Sequence, residues 1–140
     1  MKFMLIVKAS EASEAGLPPS KELIADMMKV NQEMGEAGVL IGLDGLHPSS
    51  KGARVQFSNG EKIVTDGPFA ETNELIGGYW LINVASKEEA INWVLKCPAP
   101  HGPGVDCHIE IRQVFEMSDF PEESIDQEAI DRVSASLVQE

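Results

Sequence analysis

The chain is short of cysteine, of basic charge and of long apolar runs, and each shortage removes a class of function. Cys97 and Cys107 stand ten apart with proline and glycine between them, and neither belongs to a CxxC pair of the kind that holds zinc. They read as reduced thiols of a cytoplasmic protein. Three scattered histidines, His47, His101 and His108, match no metal-ligand spacing, so neither a metal nor a cofactor is expected. Eleven basic against 23 acidic residues give a formal net charge of -12. Such a surface repels phosphate backbones and anionic lipid, which argues against nucleic acid and membrane as partners. The opening apolar run, Phe3-Met4-Leu5-Ile6-Val7, is closed by Lys8 and is too short for a signal peptide or a membrane span. Phosphate-loop and dinucleotide fingerprints are absent, and no nucleophile elbow supports a catalytic triad.

What is present is one domain's worth of α+β pattern in 140 residues, enough to bury a core without staples. Residues 3–7 read as a buried strand. Residues 9–20 read as a loop ending in Pro18-Pro19, with Ser20 as the N-cap of an amphipathic helix. Its apolar positions are 23, 24, 27, 28, 30 and 34, and Gly35 and Gly38 end it. Residues 39–46 form a short strand interrupted by Gly42 and Gly45. A hairpin follows over residues 53–66, turning at Asn59-Gly60, whose residue types suit positive φ. Residues 78–84, rich in aromatic and β-branched side chains, are the clearest strand. Ser86 and Glu89 make a capping box for a helix that Cys97-Pro98 stops. Residues 108–115 alternate, placing Ile109 and Ile111 on one face and His108, Glu110 and Arg112 on the other. This order suggests a ferredoxin-like α+β sandwich with both helices on one sheet face. A second copy is expected to cover the other face, giving a homodimer. Residues 117–140 read as a C-terminal appendage, with a short helix starting near Pro121 and an apolar stripe of Ile130, Val133 and Leu137. A frayed acidic tail is the alternative.

Between the hairpin and the aromatic strand lies the densest polar motif, Asp66-Gly67-Pro68-Phe69-Ala70-Glu71-Thr72, followed by Glu74 and by Gly77-Gly78-Tyr79-Trp80. With Ser86 through Ala90, Cys97-Pro98 and Ile109-Glu110-Ile111-Arg112 in order, about residues 1–116 resemble the DGPF-motif branch of the YCII-related proteins. That resemblance implies a ferredoxin-like fold that dimerises into an α+β barrel with a small cleft in each subunit. It implies no settled reaction. Asn73 stands where the branch usually has lysine, and the first long helix lacks the histidine that YCII relatives are thought to pair with an aspartate.

Each candidate site residue also has a structural reading. Asp66 forms turns well, because its carboxylate can accept from amides two residues on. In an apolar cleft walled by Phe69 and Trp80 it would instead act as a general acid or base, with His47 as catalytic partner. Gly67 and Pro68 set the loop's shape. Phe69, Glu71, Thr72, Glu74 and Tyr79 are the substrate-binding candidates beside them, although Glu71 and Glu74 could equally be solvated charge. Arg112 is either an anchor for a substrate carboxylate or half of a cross-strand ion pair with Glu110. The function expected is a small-molecule-binding dimer with isomerase-type or lyase-type proton transfer around Asp66. The alternative is a non-catalytic module that binds a ligand or a partner protein.

Overall fold

The computed structural model describes residues 1–137, so the last three residues of the expected C-terminal appendage lie outside the described residues. Four strands form an open antiparallel sheet in the order β2 (Leu40–Gly45), β5 (Ile76–Asn83), β1 (Lys2–Lys8), β6 (Ile109–Gln113). This is the ferredoxin-like arrangement, with α2 (Lys21–Glu36) and α3 (Lys87–Leu95) as its two long crossovers. The ribbon of β3 (Ala53–Ser58) and β4 (Glu61–Asp66) is inserted between β2 and β5 and forms its own two-stranded sheet.

Alternation decides which face of the sheet is dry. Phe3 and Leu5 of β1 and Trp80 and Ile82 of β5 point toward the helices, where they join Val30 and Met34 of α2 and Ala90 of α3 in one core. The residues between them, Met4, Ile6, Tyr79 and Leu81, share the outer face with Glu110 and Arg112, against which β1 pairs in register. On α2 the expected apolar stripe is wider than the buried one. Val30 and Met34 are buried, whereas Ile24 and Met28 are exposed.

Local signals act where the residue chemistry puts them. Ser20 Oγ accepts the Leu23 amide at the start of α2, and Gly38 at φ 73° follows its end. Asn59 and Gly60 take φ 51° and 77° in the two-residue hairpin turn. Ser86 Oγ accepts the Glu89 amide, but the Glu89 carboxylate reaches the amide of Ala85 rather than that of Ser86. One element was not expected. Residues read as loop contain a single-turn helix, α1 (Glu11–Glu14), in which Ser10 and Ser13 cap each other reciprocally. The C-terminal helix α4 (Gln127–Ser136) is capped by Asp126, beginning after Pro121 rather than at it, because Glu122–Ser124 forms a separate 3-10 turn first. Of its stripe Ile130 is half-buried, while Val133 and Leu137 are exposed. Among the described residues no helix is long and apolar enough to cross a membrane.

Cys97 packs against the core at the end of α3, and burial pushes its thiol from 9.0 up to about 11. The folded chain thus holds the proton more tightly than the unfolded one. This contribution to stability is complete below about pH 9 and is lost as pH rises toward 11. At about pH 8, iodoacetamide should alkylate Cys97 much more slowly in the native protein than in urea, read by mass spectrometry. Rapid native labelling would contradict the burial.

Candidate functional site

A cleft of about 640 Å³ opens between the first half of α2 and the sheet. Its α2 wall is Leu23, Met27 and Asn31, four residues apart and therefore on one stripe of the helix. Val7, Leu43 and Trp80 from the helix-facing side of the sheet line it opposite. Ser10 and Ser13 of the α1 turn, with the loop before α2, close one side, and a loop carrying His101 closes another. Its lining is mostly apolar, with Asn31 and His101 among the few polar residues.

Hydrogen-bond chemistry fixes what two of those polar groups can offer. The Trp80 indole N–H is 2.7 Å from Asn31 Oδ1, and because an indole only donates, the amide oxygen must face it. Asn31 Nδ2 is then left with a 3.7 Å contact to Met28 Sδ and can donate to a ligand. His101 Nε2 is 2.6 Å from the carbonyl oxygen of Lys8, which only accepts. Nε2 must therefore carry the hydrogen, and in the neutral ring Nδ1 presents a lone pair. On the outer face of the sheet, Tyr79 Oη donates to Asp44 Oδ2 at 2.9 Å across the β2–β5 pairing.

The structure distributes the residues singled out from sequence among several places. Tyr79 and Trp80 line the cleft, but Asp66 and Phe69 do not. Asp66 ends β4, opposite Ala53, with its side chain exposed at the base of the ribbon. His47 is exposed after β2 and makes no hydrogen bond or ion pair to Asp66 among the described residues. Arg112 pairs with Glu110 at 3.2 Å along the same strand rather than across strands, and both groups are well exposed, so the pair contributes little. Thr72 and Glu74 belong to a 3-10 turn that returns the chain to β5. The Glu74 carboxyl is pushed above its ordinary range by the hydrogen bond and negative charge of Glu71, against the opposing pull of Arg54 and Lys8. The Arg54 guanidinium lies 3.9 Å over the Phe69 ring.

The Gly67-Pro68-Phe69 segment, which includes a cis Gly67-Pro68 peptide, is clamped onto the turn Ser49–Lys51. The Phe69 amide donates to Ser49 Oγ at 3.0 Å, and the Gly67 amide to the Gly52 carbonyl at 2.9 Å. Ser49 in turn donates its amide, at 2.8 Å, and its hydroxyl to the carboxylate of Glu14 in α1. A Cβ on Gly67 would stand 1.8 Å from the Ser49 carbonyl oxygen. The need for glycine here is thus close approach and not positive φ, since Gly67 does not adopt one. Through Ser49 and Glu14 the motif holds the α1 turn, whose Ser10 and Ser13 line the cleft.

Sequence reasoning missed Asn31 and assigned His101 to plain surface. Asn31 did leave a signal, because it falls four residues after Met27 and is a polar group on an apolar helical stripe. His101 left none, for its partner carbonyl is 93 residues away.

Comparison with known proteins gives a family and no reaction. A family model described as "YCII-related domain" matches residues 1–118. Over 73 residues the chain is 40% identical to an uncharacterised protein of Rhizobium meliloti (strain 1021), a stretch covering 52% of this chain and 59% of that protein.

Proposed function

Because the chain belongs to the family of YCII-related domains, whose membership sets no reaction, we propose from the geometry that it binds a small, mostly apolar organic molecule in the cleft under α2. The observation that carries this reading is the pairing of an apolar cleft with two lining residues, Asn31 and His101, whose hydrogen bonds leave Nδ2 as a donor and Nδ1 as an acceptor. The same histidine can take a proton from a bound ligand, which fits isomerase-type or lyase-type chemistry. In this reading Asp66 and the loop to Thr72 shape the site's wall through Ser49 and Glu14, and the reacting group is His101. A module that binds without turnover uses the same cleft and differs only in lacking product formation.

The test is a fragment screen on the 15N-labelled chain, with shifts mapped residue by residue. Hits should perturb Leu23, Asn31, Trp80 and His101 together. Hits confined to Asp66, Phe69 and His47 would contradict the assignment.

We also propose a cytoplasmic homodimer. On the ribbon, Val55 pairs with Val64 and Phe57 with Lys62, so three apolar side chains, 51%, 67% and 74% exposed for Val55, Val64 and Phe57, share one face. With Met4 and Leu81 half-buried on the outer sheet face, they offer an apolar surface for a second copy. Light scattering should give twice the 15.2 kDa chain mass at micromolar concentration. A stable monomer would overturn this.

A further inference from the structure

We infer that the ligand of this cleft is uncharged and carries a hydrogen-bond donor, as in a phenol-like or hydroxylated ring compound, and that the site rejects carboxylates and phosphates; the inference rests on the cleft being the binding site. Three observations select this class. Among the described residues no lysine or arginine lines the cleft, and the Asp44 carboxylate of its β2 edge is turned to the outer sheet face, where it accepts from Tyr79 Oη. An anionic ligand would therefore lose its hydration without gaining a lysine or arginine, within a chain of net charge -12.

The helix start that borders the cleft offers anions little in return. Pro18 and Pro19 have no amide hydrogens to give, and Ser20 Oγ already takes the Leu23 amide. Glu22 adds negative charge in the first turn of α2.

The need for a donor follows from His101. With Nε2–H committed to the Lys8 carbonyl, the neutral ring of this lining residue keeps Nδ1 as an acceptor. A hydroxyl or N–H can satisfy it, whereas an ether oxygen cannot. Asn31 Nδ2 completes the pair by donating to the ligand's own oxygen. Between them, the apolar walls of Leu23, Met27 and Trp80 suit a flat hydrocarbon body.

Three naphthalenes of matched shape separate the possibilities: 2-naphthol, its methyl ether and 2-naphthoate. Each is titrated into the 15N-labelled full chain while the indole N–H resonances are followed. Trp80 reports on the cleft, and Trp93, under the Lys96 ammonium, serves as the internal reference. We expect 2-naphthol to shift the Trp80 signal saturably, with the ether and the carboxylate each weaker by about tenfold or more. The variant His101→Phe keeps a flat ring at the cleft wall but has no acceptor. It should weaken 2-naphthol by about tenfold and leave the ether, which controls for the lost bond to the Lys8 carbonyl, unchanged. Naphthoate binding in the cleft as tightly as naphthol would overturn the ligand class while leaving the cleft reading intact. Equal affinity for naphthol and its ether, or no effect of His101→Phe on naphthol, would remove the donor requirement. If none of the three moves the Trp80 signal, the cleft reading fails together with this inference.

Discussion

Gly67→Val should destabilise the protein by about 2–4 kcal/mol, the sum of overpacking against a backbone atom and one broken hydrogen bond. A Cβ at position 67 meets the Ser49 carbonyl oxygen at 1.8 Å and its carbon at 2.6 Å. Neither atom is the end of a flexible side chain, so relief requires the whole turn Ser49–Lys51 to move. That movement breaks the bond from the Phe69 amide to Ser49 Oγ and slackens the bonds from Ser49 to Glu14. A loss of this size lowers the melting temperature by roughly 10 °C in a domain of this length. Gly35→Ala provides the contrast, because a Cβ there has nothing within 4 Å inside α2. Alanine at that position, in the last turn of α2, should stabilise by up to about 0.5–1 kcal/mol, the helix-interior value being the upper bound. Equal melting temperatures for Gly67→Val and the parent would mean that the clamp is not built as described.

Leu23→Trp should lower affinity for any cleft-bound fragment by about a hundredfold, which is about 2.7 kcal/mol. Leu23 stands at the α2 wall one turn before Met27 and two before Asn31, so an indole there occupies the space a ligand would fill. Because Leu23 is only half-buried and outside the core cluster, the fold should lose no more than about 1 kcal/mol. Separate melting and binding measurements thus distinguish a filled site from a damaged protein.

These two residues illustrate what the sequence conveys and what it does not. Repeating patterns and short-range chemistry placed β1, α2, the ribbon, β5, α3 and β6, since each rests on neighbours within a few residues. The Asn59-Gly60 turn and the Ser20 cap are decided within four residues, and the structure has both. Gly67 was legible as a shape-setting residue, yet the physical reason, contact with a turn 18 residues earlier, was not. The cleft was still less legible. Its two polar atoms are oriented by the bond from Trp80 to Asn31, spanning 49 residues, and by that from His101 to Lys8, spanning 93. Attention fell on the dense motif at Asp66 because carboxylates adjacent in sequence look like a site. In the structure that motif clamps a wall, and the ribbon carries the Asp66 carboxylate to an exposed position. The α1 turn went unread because four residues leave no periodicity, although its reciprocal serines are a capping signal in retrospect.

Whether ligands enter the cleft under α2 or the loop around Asp66 is decided by the dissociation constant of one fragment hit, measured side by side in the parent, Leu23→Trp and Asp66→Asn proteins. Asp66→Asn should bind like the parent while Leu23→Trp loses about a hundredfold. Binding abolished by Asp66→Asn and kept by Leu23→Trp, with both proteins folded, would contradict binding in the cleft.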